Sequence, residues 1–357
     1  MSEPTQRRHV PGLDVDWDAA GRLAGRLVAP GPTGSRGALV HAVEELRDAA
    51  ERARPLAMRA SRLGPSIEAA GTGDVAARVL VVDRPGWARA AAQSFSGLLG
   101  DVGTQPAGRR VPTGATAQTA SLIGLLAGRV LGQFDPFGAS DPGGRLLLVA
   151  PNVLHVERAL SADPVDFRLW VCVHEQTHAL QFAAAPWLAD HLRGEVAALA
   201  QDLAGTETLG DVLAAANRGV RAWREGRLGE DWSVLDLALD AEHRDRVERI
   251  TAVMALLEGH ADVTMDAVGR RAIPSLKRLR ARMTARRGRA RGVERLVRRL
   301  VGMDAKLAQY ANGARFVRGV RRSGGRFALD PAWQDPAALP TPRELADPSA
   351  WVRRVHG

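Results

Sequence analysis

The chain has 357 residues, 45% hydrophobic and 25% charged, enough apolar material for a buried core and no sign of a disordered or fibrous composition. The net charge of +9 is uneven: thirteen lysines and arginines against one acid give +12 between Arg270 and Leu300 and leave the rest at −3. One cysteine, Cys172, excludes an internal disulfide and a cysteine-rich metal knuckle, and no apolar run approaches the roughly 18 residues of a membrane helix.

The start, MSEPTQRRHVPGLDVDW, has two arginines without a following apolar run, so it is not a signal peptide, and the expected location is a reducing cytoplasm. Residues 1–14 read as a flexible arm. Helical patterning (Leu39, Val40, Val43, Leu46) occupies 15–70, interrupted by the turn-rich PGPTGSRG at 30–37. ARVLVVDRPGW predicts a strand entering a turn, with DRPGW as the turn and a helix over Ala88–Leu99. Residues 101–115 read as a loop. TAQTASLIGLLAGRVLGQF predicts a well-buried helix, DPFGASDPGG a turn, and RLLLVAPNV a strand. Helical segments follow around 187–204, 209–224 and 235–266, then the basic stretch and a proline-rich tail. The expected fold is α+β, mainly helical with a small sheet. Its expected organisation is a mostly helical region at 15–115 and a metal-binding region at 116–357, which can form one continuous domain.

The helix that carries the chemistry begins with good start signals: Asp163 can cap, Pro164 suits the first position and Asp166 the first turn. It contains VCVHEQTHALQF. Residues four apart on a helix share a face, so His174 and His178 direct two imidazoles at one point, as a zinc ion requires. Glu175 points to the side, where a carboxylate can take a proton from a metal-activated water. A solvated helix with two surface histidines would have polar flanks, whereas Leu169, Trp170, Val171, Val173, Leu180 and Phe182 surround this motif. The extended metzincin form needs Gly at 181 and His at 184; Gln181 and Ala184 exclude it.

A third ligand must come from elsewhere. ITAVMALLEGHADVTMDAVG, residues 250–269, is an apolar helix interrupted by Glu258, His260, Asp262 and Asp266. Glu258 is the expected third ligand, completing a His-His-Glu set of the gluzincin kind, and His260 is its rival; a buried ion pair between Glu258 and an arginine is the non-metal alternative. Asp262 can orient a ligand histidine from behind or simply lie on the helix surface.

HEQTHALQF, EGHADVTMDAVG, DAKLAQYANGARFV and DPSAWVRRV together resemble the zincin-like metallopeptidase family of actinobacteria and chloroflexi. The similarity runs from about Leu146 to the C-terminus and more weakly through the N-terminal third. It implies a zincin-like fold with an HExxH active-site helix, zinc as cofactor, His174 and His178 as ligands, and Glu175 as base. Members have a genome-context association with deazaflavin coenzyme biosynthesis, which does not by itself assign a reaction. Two departures stand out: 80 residues separate His178 from Glu258, far more than in thermolysin-type enzymes, and 270–299 is unusually rich in arginine.

Tyr310, the only tyrosine, can donate a hydrogen bond to a developing oxyanion or be an ordinary residue at a core edge. Arg315 can bind a substrate carboxylate. His155 and His243 fall outside any ligand spacing. Cys172 lies about 160° around the helix from His174 and reads as a packed small hydrophobe. Lys277, Arg278, Arg280, Arg282, Arg286, Arg287 and Arg289 can bind phosphate backbones or anionic lipid or dock an acidic partner, but no aromatic residue interleaves them for base stacking, and the ordinary reading is a solvated helix or mobile loop. The expected function is a zinc-dependent hydrolase acting on a peptide or protein. The alternative is a catalytically silent scaffold with structural zinc and a basic docking arm; an intact Glu175 argues against it, because a structural site does not need that carboxylate.

Overall fold

The chain is described here from a computed structural model covering residues 15–73, 76–99, 113–138, 143–206, 241–288 and 303–357, with side chains except at 113, 201–206, 241, 242, 287, 288 and 303–312. The first part holds α1 (Trp17–Leu27), α2 (Arg36–Ser61), α3 (Gly64–Ala69), β1 (Arg78–Val82), α4 (Arg84–Leu99), α5 (Thr113–Ala127), β2 (Gly132–Asp135) and β3 (Arg145–Val149). Then come α6 (Ala150–Ala159), α7 (Pro164–Ala184), α8 (Leu188–Thr206), α9 (Ala241–Ala272), α10 (Leu276–Gly288) and α11 (Met303–Gly324). Three short helices close the chain: α12 (Pro331–Gln334), α13 (Pro342–Ala346) and α14 (Pro348–His356). The fold is α+β and mainly helical.

The sheet has the order β1-β3-β2, with β1 parallel and β2 antiparallel to β3. After Arg145, the run Leu146–Val149 is apolar throughout because β3 is the middle strand, covered on both faces. Successive side chains of a strand point to opposite faces. Leu146 and Leu148 accordingly join a core with α2, α6 and α7, while Leu147 and Val149 join one with α1, α4 and α5. A third core gathers the ends of α2 and α7 with α8, α9, α11 and the closing helices, around Phe316, Trp333 and Trp351.

The end of the sheet is pinned by a buried pair, Arg145 Nε donating to Asp135 Oδ2 at 2.7 Å. Asp135 Oδ1 accepts from Ser94 Oγ at 2.7 Å, so α4 is fastened to the same point. On the far side, Arg168 of α7 binds Glu157 through Nε at 2.8 Å and also pairs with Glu45 of α2. Among the described residues no helix is long and apolar enough to cross a membrane.

Several local readings are corrected. DRPGW is the start of α4: Asp83 Oδ1 accepts from the N–H of Gly86 at 2.6 Å, so the turn residues form a helix entry. The helix predicted as well buried has an exposed face that includes Leu122 and ends at Ala127, and GQFD is strand β2. Residues 113–115, read as loop, begin α5. The strand RLLLV stops at Val149, and APNV opens α6, with Pro151 in the first turn where it costs no hydrogen bond. Leu39 and Val40 face solvent, while Leu46 is fully buried, so the core stripe of α2 begins a turn later than its apolar run. Of the helix expected at 235–266, the described part is α9, Ala241–Ala272, which runs past 266 and is broken at Gly269 (φ +77); 235–240 lie outside the described residues. The arm at 1–14 and the helix expected at 209–224 lie outside the described residues.

Candidate metal centre and its cleft

Helix α7 starts as its sequence requires: Asp163 Oδ1 accepts from Asp166 N–H at 3.0 Å, with Pro164 in the first position. One face packs on α2, whose alanines Ala49, Ala50 and Ala53 allow close approach. Cys172 lies on that face, its Sγ 3.9 Å from the Leu46 carbonyl, and burial pushes its thiol far above the usual range. It is packing. His155 is exposed and His243 buried, both away from the centre.

The other face carries His174, Glu175 and His178. The rings of His174 and His178 meet edge to face, with Nε2 atoms 3.2 Å apart. Glu258 arrives from α9, its Oε2 3.6 Å from His174 Nε2 and its Oε1 3.8 Å from His178 Nε2. Glu258 thus meets two imidazoles instead of an arginine. What holds α9 there is a bare helix contact: a Cβ on Gly259 would come 2.1 Å from the Gly313 carbonyl carbon of α11, and one on Gly313 would come 1.9 Å from Ala255 O. The glycines of EGH and YANG are where two helix backbones touch.

The three ligand-type atoms lie within 4.8 Å of one another. Zinc bonds of about 2.0–2.2 Å in a tetrahedron separate ligand atoms by roughly 3.3–3.6 Å. The separations of 3.2, 3.6 and 3.8 Å bracket that spacing, so the donor set fits a zinc ion without rearranging the helices.

His260, the rival ligand, is fully buried and faces away. Its Nε2 is 3.1 Å from Ser61 O and its Nδ1 3.1 Å from Gln181 Nε2, and burial with the Arg321 charge lowers its pKa to about 3. Gln181 Oε1 lies 2.8 Å from His178 Nδ1, on the side of the ring away from Nε2. Asp262 lies beside Arg280, whose guanidinium is 3.8 Å from its carboxylate and donates to its carbonyl at 2.6 Å.

Glu175 is buried beneath β2. Burial first, and the nearby Glu258 charge second, raise its pKa to about 8, against a hydrogen bond from the Phe134 backbone. Its space exists because residue 132 is glycine: a Cβ there would come 2.6 Å from Glu175 Cγ and 2.9 Å from its Oε1. Gln181 and Gly132 are the two site residues that sequence reasoning missed.

A cleft runs over the centre in two lobes. The larger, about 410 Å³, is lined by His174, Glu175, His178, Glu258, the β2 residues Gly132–Phe134, and apolar residues including Phe95, Leu98, Leu126, Phe182 and Met254. The smaller, about 250 Å³, shares Gly132, His174, Glu175 and Glu258 and adds Trp170, Asp262, Met265 and Met283. Tyr310 belongs to α11, but its side chain lies outside those described. Arg315 is exposed and does not line either lobe.

The chain is similar to known proteins over nearly its whole length. A crystal structure from Chloroflexus aurantiacus, described as a candidate hydrolase with a novel fold, is similar with a TM-score of 0.63 and 29% identity, covering 96% of this chain and 99% of that one. No curated protein matches. The model of the zincin-like metallopeptidase family matches residues 15–352. With nearly its whole length matched, this chain belongs to the family of zincin-like metallopeptidases.

Proposed function

We propose that the protein is a zinc-dependent hydrolase of peptide bonds, with His174, His178 and Glu258 as ligands and Glu175 as general base. The observation that carries this reading is the convergence of Glu258, 80 residues along the chain, on the imidazoles of α7 with Glu175 beside them. When bound, zinc supplies Lewis acidity, which polarises a carbonyl and acidifies water.

The chain's own groups do the rest. Glu175 accepts a proton at its carboxylate, which lies buried beside the ligand-type residues. The Phe134 N–H holds the Glu175 carboxylate, so the base is positioned before substrate arrives. Strand β2 pairs with β3 along one side, and its residues Gly132–Phe134 line the larger lobe. A strand edge of this kind can pair with an extended peptide. The apolar walls of that lobe, Phe95, Leu98 and Leu126 among them, suit a bulky apolar side chain flanking the scissile bond.

Metal analysis of the purified protein, with hydrolysis measured on casein and on mixed peptide libraries, tests the assignment. About one zinc per chain is expected in wild type and Glu175→Gln, with turnover confined to wild type, and zinc is expected to be lost from Glu258→Ala. Equal turnover by Glu175→Gln would remove the base, and full zinc in Glu258→Ala would remove the third ligand. Zinc without turnover in wild type would favour the silent scaffold.

A further inference from the structure

We propose that Gln181 is a positioning residue that fixes the tautomer of His178, so that the Nε2 lone pair faces His174 and Glu258. The proposal rests on the metal-centre reading above, and the polarity of one hydrogen-bonded chain carries it.

The chain begins at a group that can only accept. Ser61 O is the last carbonyl of α2, left without a partner by the end of the helix. It accepts from Arg321 at 3.0 Å, and His260 Nε2 lies 3.1 Å away, so that nitrogen carries a proton. Gln181 Nε2 donates to another obligate acceptor, Leu257 O, at 2.8 Å, and reaches His260 Nδ1 at 3.1 Å. A reversed amide would put oxygen against the Leu257 oxygen, and a protonated Nδ1 would put N–H against the amide N–H. The one consistent arrangement has the NH₂ group donating to both and His260 offering a lone pair at Nδ1.

Gln181 Oε1 is then aimed at His178 Nδ1, 2.8 Å away, and must accept from it. His178 carries its proton at Nδ1, which leaves Nε2 unprotonated. That nitrogen is 3.2 Å from His174 Nε2 and 3.8 Å from Glu258 Oε1, at the point where a metal would be held. A free histidine exchanges its proton between the two nitrogens, and only one form can ligate from Nε2. Two backbone carbonyls on different helices, Ser61 O and Leu257 O, thus select the ligating form through Gln181. A residue that served only to fill the core would not need this polarity.

The tautomers can be read in full-length, metal-free protein labelled at histidine, by long-range proton–nitrogen NMR correlation under mildly alkaline conditions. His178 is expected with its proton at Nδ1 and His260 with its proton at Nε2. In Gln181→Leu, His178 should lose that preference, and zinc affinity measured by chelator competition should fall about 10- to 100-fold. Gln181→Met, unbranched and without the amide, serves as the second variant if Gln181→Leu does not fold. A wild-type His178 protonated at Nε2 overturns the relay, with no variant or metal needed. Equal zinc affinity in wild type and both variants overturns the positioning role while leaving the metal centre intact. A wild type that binds no zinc at all removes the metal centre itself, and this role with it.

Discussion

Gly132 and Glu175 face each other with no room for a methyl group between them. A Cβ at 132 would meet Glu175 Cγ at 2.6 Å and Oε1 at 2.9 Å, and those atoms belong to a side chain that can swing aside. Gly132→Ala should therefore cost little stability and move the base. The expected outcome is an unchanged melting temperature, unchanged zinc content, and a loss of turnover of about 100-fold, the scale on which a misplacement of an ångström acts. Loss of zinc in this variant would show instead that β2 braces the ligands themselves.

Helix α9 carries Glu258, and its seat is the contact of Gly259 with Gly313 on α11. Both atoms opposed to a new Cβ are backbone, so neither helix can give way locally. Gly259→Ala should separate the helices, lower stability by about 1–3 kcal/mol and reduce zinc affinity by moving Glu258. Gly194, exposed on α8 with nothing within 4 Å of its virtual Cβ, is the control. Gly194→Ala should raise stability by about 0.5–1 kcal/mol, because alanine loses less freedom than glycine in a helix interior. Thermal unfolding of the two variants checks both signs.

The same elements show what could be read from the sequence. His174, Glu175 and His178 were legible because a single helix turn brings them together, and Glu258 because a carboxylate in an apolar helix needs a reason to be there. Gln181 and Gly132 were not. The meaning of Gln181 depends on Leu257 O and His260 some 80 residues away, and that of Gly132 on a carboxylate from another element. The division of RLLLVAPNV into β3 and α6 was missed because a buried strand and a buried helix start are both apolar; only sheet pairing separates them. GQFD was read as the end of a helix because four residues are too few to display alternation.

At the scale of the whole molecule, the +12 segment is partly built into the fold. Arg280 Nε binds Asp266 at 2.7 Å, and Arg282 donates to Leu160 O and Ser161 O at 2.6 and 2.7 Å, closing the end of α6. A free arm is therefore the wrong reading for these two. Arg280→Gln with Arg282→Gln should lower the melting temperature by about 2–6 °C, since partly exposed pairs and helix-end cations contribute about 1 kcal/mol or less each. Lys277, Arg278 and Arg286 are exposed on α10, and the proposed acidic partner would meet these. Replacing them with glutamine should weaken salt-sensitive retention on heparin without changing the melting temperature. A melting temperature that falls as far as in the first variant would make the whole stretch structural. Ser61 O, finally, gathers α2, α9 and α11 at one oxygen, through its own helix end, His260 and Arg321. On the proposed reading, His178 is held in its ligating form only after those helices have docked. An unfinished chain would hold the ion weakly, and metal capture would mark the completion of folding.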